Sequence, residues 1–340
     1  CCTANEMLVR KGVPVAGNFL QQEIAIATGV VEAMVVDVQC IMPSVGEIAS
    51  HFHTKVISTD PRAKFPWVTH MELDESNAMP IAKNIVRTAV ENYANRSSEE
   101  RHIPTEKTDL IAGFTTDNIF YHLGGRFRAT YRPLNDAIIS GRIRGVVAVV
   151  GCDSPKNKSG GSHVEMVKEL IKNDVLVVQT GCSAISCAKA GLLKPEAAKQ
   201  YAGKGLLEVC EAVGIPPVLH SGSCVDNSRV LTACVQMVME GGIGNSLDEL
   251  PVAGAAPEWY SEKAIAIGWY VVASGIYTVI GSPLRVQGSK EVEKMITEGM
   301  EAKLGANWAF EEDPIKGAHL IIEHINKKRE ALKLSPMMYQ

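Results

Sequence analysis

Short apolar runs of strand length alternate with helix-length segments along most of this 340-residue chain, and that alternation admits few architectures. A strand followed by a helix and then by another strand closes most simply as a β–α–β unit, with parallel strands and helices on the sheet faces. The runs "AMVVDVQC" (33–40) and "TKVISTD" (54–60) are strand-like, and "AMPIAKNIVRTAVENYANR" (78–96) carries apolar residues at helical spacing. The stretch "SSEERHIPTEK" (97–107) breaks the pattern with polar and charged residues and a proline, which predicts a domain boundary. The alternation then resumes. "TDLIAGF" (108–114), "GVVAVVGC" (145–152), "DVLVVQTGC" (174–182) and "PPVLHSGSC" (216–224) predict strands; the segments 132–143, 195–213, 261–275 and 313–332 each predict one helix. The expected fold is therefore α/β: two doubly wound, Rossmann-like domains with parallel sheets, over residues 1–104 and 105–340.

Charge and hydropathy narrow the function classes. The net charge of −4 carries no basic surplus for nucleic acid. The longest uncharged stretch, "AIAIGWYVVASGIYTVIG" (264–281), is interrupted by Gly268, Ser274, Gly275 and Thr278. It predicts a buried helix followed by a buried strand rather than a membrane span. The start lacks the charged and apolar regions of a secretory leader, so a cytoplasmic location is expected.

Nine cysteines occur, an odd number in a chain of ordinary size, which favours metal or redox chemistry over disulfides. Cys40, Cys152, Cys182 and Cys224 each fall at or just after the end of a predicted strand. The carboxyl ends of parallel strands face the ligand crevice, so cysteines far apart in sequence can converge there. Small neighbours accompany three of them: Gly151–Cys152, Gly181–Cys182–Ser183 and Gly222–Ser223–Cys224. Such neighbours let backbone approach a bulky inorganic group. Ordinary buried cysteines are the competing interpretation. No C-x-x-C is present, so a zinc ribbon or bacterial ferredoxin pattern is excluded, and iron–sulfur, nickel and zinc remain as thiolate-bound candidates. Cys187, Cys210 and Cys234 lie in helical segments and are expected to pack in the core.

Taken together, "CCTANE" (1–6), "DVQCIMP" (37–43), "VGCD" (150–153), "TGCSA" (180–184), "GSCVDNSR" (222–229) and "SEKAIAIG" (261–268) resemble, in order and near-spacing, the nickel–iron–sulfur carbon monoxide dehydrogenases. "DPIKGAHLIIEHI" near the end resembles the branch that works with acetyl-CoA synthase. The resemblance implies interconversion of CO and CO2 at a NiFe4S4-type cluster, with electrons passed to a ferredoxin-like carrier. By motif, Cys2 resembles the ligand of an external iron, Cys40, Cys152 and Cys182 the ligands of the cage irons, and Cys224 the nickel ligand. Lys263 resembles the lysine that contacts bound CO2, and Ile267 the isoleucine that crowds the open nickel position. The spacing from Cys182 to Cys224 is shorter than the family pattern, which a trimmed loop near Pro216–Pro217 would explain.

The resemblance also implies parts that lie outside this sequence. A histidine on the external iron, further 4Fe-4S clusters and proton-relay histidines are expected upstream of "CCTANE", in a longer chain that forms a homodimer. These 340 residues by themselves are expected to be inactive. Cys1 is expected to pack beside Cys2. His51 and His53 are read as structural or as supporting residues behind the ligands, while His220, Asp226 and Asn227 are candidates to support the Cys224 loop. Two alternatives stand beside this reading: a hybrid-cluster reductase of nitrogen oxides, and a metal-free, inactive fragment.

Overall fold

The computed structural model describes residues 2–124, 130–157, 160–284, 286 and 288–339. Cys1 lies outside the described residues. The chain divides into two compact units, residues 16–107 and residues 1–15 together with 108–340. The division falls at 107/108, close to the charged boundary segment. The first fifteen residues, expected with the smaller domain, belong to the larger unit.

The smaller unit carries a three-stranded parallel sheet of β1 (Ala33–Val36), β2 (Lys55–Ser58) and β3 (Thr69–His70), in that order. Its core gathers Ile26, Val36, Val45, Ala49 and Val56. The first strand stops at Val36, before Cys40, because the backbone turns at Asp37–Gln39 and Cys40 adopts a left-handed φ of 57°. The helix Ala78–Asn92 ends in a 3-10 turn at Tyr93–Asn95. There Arg96 ties the chain back by donating to Glu32 and to the Val30 carbonyl.

The larger unit is built on six parallel strands: β4 (Gly145–Val149), β5 (Val175–Thr180), β6 (Val218–Gly222), β7 (Val252–Ala256), β8 (Thr278–Ile280) and β9 (Trp308–Phe310). Their order is β6-β5-β4-β7-β8-β9. The chain winds outward from β4 in one direction and then, from β7, in the other. Such an order places a crevice at the carboxyl ends of the two central strands, β4 and β7. β5 is buried throughout and opens with a continuous apolar run, Val175 to Val178, as a strand covered on both faces favours. β7 reads "VAGAA", poor in β-branched residues, and eluded the strand pattern. Its small side chains suit a central position, where a Cβ at Gly254 would sit 3.1 Å from Thr278 Oγ1.

Two expected elements differ. Residues 108–114 do not form a strand: they touch the free edge of β6 at a single bridge, Ala112 to His220, because Gly113 turns to a φ of 100°. The helix expected over 195–213 is two, Pro195–Tyr201 and Lys204–Val213. Gly203 separates them, and a Cβ there would lie 2.4 Å from Asp174 Oδ1. The Asp174 carboxylate occupies that space and accepts the Leu206 N–H at 2.8 Å, capping the second helix from another element.

The apolar stretch 264–281 resolves into the helix Glu262–Ala273 and β8. Its interrupting glycine has a packing reason: a Cβ at Gly268 would lie 2.2 Å from the Trp308 ring. Without it the edge of the buried indole reaches the helix, and the ring meets Trp269 edge-on at 5.5 Å. Among the described residues no helix is long and apolar enough to cross a membrane.

Candidate metal centre

Four of the five singled-out cysteines converge in the larger unit. Cys152 follows β4, Cys182 is the second residue of the helix Gly181–Lys189 after β5, and Cys224 opens the 3-10 turn Cys224–Asp226 after β6. Cys2 starts the helix Cys2–Lys11, which packs against β6. Cys152, Cys182 and Cys224 are buried and Cys2 is half-buried. Three of these thiols and Lys263, at the start of Glu262–Ala273, sit at amino ends of helical turns. Those ends direct partial positive charge at whatever the site holds.

The contacts are close. The Lys263 ammonium donates to Cys2 Sγ at 2.9 Å. The thiols of Cys2 and Cys224 are hydrogen-bonded to each other, and Cys182 is near enough to raise both Cys152 and Cys224. Gly181 has φ 60°, and a Cβ there would stand 2.5 Å from Cys224 Sγ. The glycine between strand and helix thus leaves room for the Cys224 sulfur. Lys263 and Ile267, one turn apart, line an apolar cavity with Cys152, Cys224, Asn227 and Trp308.

The protonation of the thiols follows from crowding. The bond from Cys2 and burial push Cys224 well above the ordinary thiol range, and Lys263 opposes them. Burial pushes Cys152 up, while the backbone N–H groups of Ser261 and Tyr260 pull it down. Buried, mutually repelling thiols of this kind give up their protons when a cation arrives to compensate them. The donor set, all sulfur with an ammonium beside it, fits a thiolate-bound soft metal group.

The supporting shell is specific. His220, fully buried, accepts the Gly222 N–H on Nδ1 at 3.2 Å, so its Nε2–H donates to Asn5 Oδ1 at 3.0 Å. Burial lowers His220 to about 4, which keeps it neutral. Asp226 accepts the Ser223 N–H at 2.8 Å, and Thr180 Oγ1 donates to Asn227 Oδ1 at 2.9 Å, which ties the Cys182 and Cys224 loops together. Ser223 Oγ reaches Glu6 at 2.8 Å. Burial, and then the Glu6 carboxylate, raise Asp226 to about 6; the bond from Asp226 holds Glu6 at about 2. Arg10 pairs with both carboxylates and Arg229 with Asp226. His220 and Asp226 thus hold the helix of Cys2 against β6 and the loop of Cys224, while Asn227 ties that loop to the one that carries Cys182.

Other expected positions lie elsewhere. Cys40 belongs to the smaller unit, where Gln22 Nε2 donates to its carbonyl at 2.5 Å and Gln22 Oε1 accepts the Met42 N–H. His53 lies 3.5 Å from Glu32 in the same unit, and His51 is exposed. Cys187, Cys210 and Cys234 are packed in the main core, and burial pushes each thiol up to about 12. Sequence reasoning passed over Asp153, His163 and Glu258, three buried residues whose ligand atoms lie within 4.8 Å of one another behind Cys152. Their one signal was position: Asp153 and Glu258 follow the two central strands, and β7 was itself inconspicuous.

Comparison with known proteins shows the family and the fold. A family model described as Prismane/CO dehydrogenase matches residues 1–315. Carbon monoxide dehydrogenase 1 of Methanosarcina mazei is 54% identical over 98% of this chain and 52% of its own length. Carbon monoxide dehydrogenase IV from Carboxydothermus hydrogenoformans superposes with a TM-score of 0.93 at 47% identity, over 98% of this chain and 54% of that one. The Ni-free carbon monoxide dehydrogenase from Thermococcus sp. AM4, produced without the CooC maturase, superposes with a TM-score of 0.91 at 49% identity, over 98% and 52%. The chain spans about half the length of the curated relatives it matches.

Proposed function

The chain belongs to the Prismane/CO dehydrogenase family, and on that premise we propose that it forms the metal-binding part of an enzyme that interconverts carbon monoxide and carbon dioxide. Cys2, Cys152, Cys182 and Cys224 are the thiolates that hold a nickel–iron–sulfur group of NiFe4S4 type in the larger unit. Cys40 is assigned as a further thiolate ligand on its sequence pattern. When bound, the group supplies adjacent metal ions that exchange two electrons with carbon as CO and water become CO2 and two protons.

The remaining work falls to this chain's residues. Lys263 holds a fixed ammonium where negative charge gathers on the substrate oxygens, an electrostatic contribution made without reorganisation. Ile267 and the apolar cavity around it limit bulk solvent beside the reacting group and admit a small uncharged gas, while the one water that the reaction consumes must still reach the carbon. The helix ends under Cys2, Cys182 and Cys224 offset the negative charge of the thiolates.

The observation that carries this reading is the meeting of Lys263 with Cys2, beside Cys224, at the wall of one apolar cavity. The electrons leave to an acceptor of ferredoxin type, and a homodimer and an acetyl-CoA synthase subunit are the proposed protein partners. The test is anaerobic purification of the full-length protein, with nickel, iron and sulfide analysis and CO-dependent reduction of a viologen dye. Bound nickel and iron with dye reduction are expected. A protein that takes up iron but reduces no dye with CO would overturn the activity.

A further inference from the structure

The buried cluster behind Cys152 has the composition of a metal site but the wiring of a bracket. His163 Nε2 lies 2.8 Å from the Cys152 carbonyl oxygen, which can only accept, so this nitrogen carries the proton and has no lone pair to offer a metal. The Glu258 carboxylate accepts two backbone N–H groups, from Ser154 at 2.9 Å and from Ser162 at 3.3 Å. Asp153 accepts the Ser186 hydroxyl at 3.1 Å. His163 Nε2 and the carboxylate oxygens are thus turned toward protein donors and acceptors rather than toward a shared ion, and only His163 Nδ1 among these atoms has no hydrogen-bond partner.

The Cys152 backbone is held from both sides, by the His163 ring and by the backbone carbonyl of Glu258, whose carboxylate fixes the nearby Ser154 and Ser162. The Cys152 N–H donates to the Glu258 carbonyl at 3.1 Å, while its C=O accepts from His163. Gly151, with φ 112°, makes this approach possible, since a Cβ there would lie 2.3 Å from the Glu258 oxygen. Glu258 follows β7 and Cys152 follows β4, so the grip joins the two central strands at the point where the sheet order reverses. Glu258 also leads, within five residues, to Lys263.

We propose that His163 and Glu258 are positioning residues that fix the Cys152 thiol, and its distance from the Lys263 helix, for the incoming metal group. The inference rests on the carbon monoxide dehydrogenase reading. It predicts that the strength of metal loading depends on two residues whose side chains touch no metal.

The test compares wild type, His163→Phe, His163→Gln and Glu258→Gln in the anaerobically expressed full-length protein. Nickel and iron per chain, the visible and electron paramagnetic resonance spectra, and urea unfolding of the metal-free form are measured. His163→Phe removes the donor to Cys152 and is expected to lose roughly tenfold in tightly held nickel and iron, with an altered spectrum. His163→Gln places an amide N–H near the same carbonyl and is expected to restore both. Glu258→Gln keeps the shape, weakens the bonds to Ser154 and Ser162, and is expected to show a smaller loss in the same direction. It carries the test if His163→Phe does not accumulate as folded protein. Full loading with an unchanged spectrum in His163→Phe, or in Glu258→Gln where that variant carries the test, overturns the inference. So does a His163→Gln protein that regains stability without regaining metal. A wild-type protein that takes up neither nickel nor iron overturns the carbon monoxide reading itself, and the bracket with it.

Discussion

Lys263 Nζ donates to Cys2 Sγ at 2.9 Å across 261 residues of sequence. The two side chains start different helices, one before the six-stranded sheet and one after its fourth strand in chain order. The ammonium leaves a fixed positive charge at the wall of the cavity that Lys263 lines.

Lys263→Ala in the full-length protein is therefore expected to separate chemistry from assembly. Removing one preorganised cation from a transition state costs on the order of a hundredfold to a thousandfold in rate. Nickel and iron content should fall far less. Parallel measurement of CO-dependent dye reduction and metal content checks this, and equal losses in both would make Lys263 a structural lysine.

Gly181→Ala probes the room left for Cys224. The left-handed backbone at Gly181 costs an alanine about 1–2 kcal/mol, and its methyl group would stand 2.5 Å from the Cys224 sulfur. The sulfur is the end of a side chain and can turn away, so the fold should survive while the thiol loses its place. Metal analysis should show at least about a tenfold loss of bound nickel, and circular dichroism an intact fold.

Gly268→Ala tests packing away from the thiols. Its methyl would collide with the Trp308 ring at 2.2 Å, and both helix and ring are confined by the core around them. Overpacking of this kind destabilises by about 1–3 kcal/mol. Urea unfolding of the metal-free protein should show a lower midpoint with an unchanged slope.

His324 gives a pH dependence of known sign. It stacks on Tyr277 at 4.4 Å, and burial, with Lys328 and Lys327 adding to it, lowers it to about 4. Between pH 6.5 and 4 the unfolded chain binds a proton that the folded chain refuses, so stability falls as pH falls through that window. The size is on the order of 1–3 kcal/mol. Buried His220, also lowered to about 4, adds the same sign, while Asp226, raised to about 6, runs the other way. The difference between wild type and His324→Phe carries the prediction. Urea midpoints from pH 7 to 4.5 should fall less steeply in the variant, and identical slopes would refute it.

Much of this was legible in the chain itself. The β-branched runs of β4 and β5 announce buried parallel strands, and cysteines at strand ends announce a crevice with sulfur donors, because period and position are local properties. Other elements were hidden for equally physical reasons. β7 is a central strand of alanine and glycine after one valine, with little intrinsic preference, and is held in place by its neighbours. The break at Gly203 depends on Asp174, which comes from a different element.

The sequence by itself determined the alternation that makes a parallel α/β chain, the thiol inventory, and the family pattern carried by its cysteines and Lys263. Only the tertiary structure decided the strand order that sets Cys152 beside Glu258, the return of the first helix to β6 through Asn5 and His220, and the meeting of Lys263 with Cys2. Local patterns record what each segment prefers, whereas a site assembled from five separate segments depends on long-range pairing that no single segment encodes.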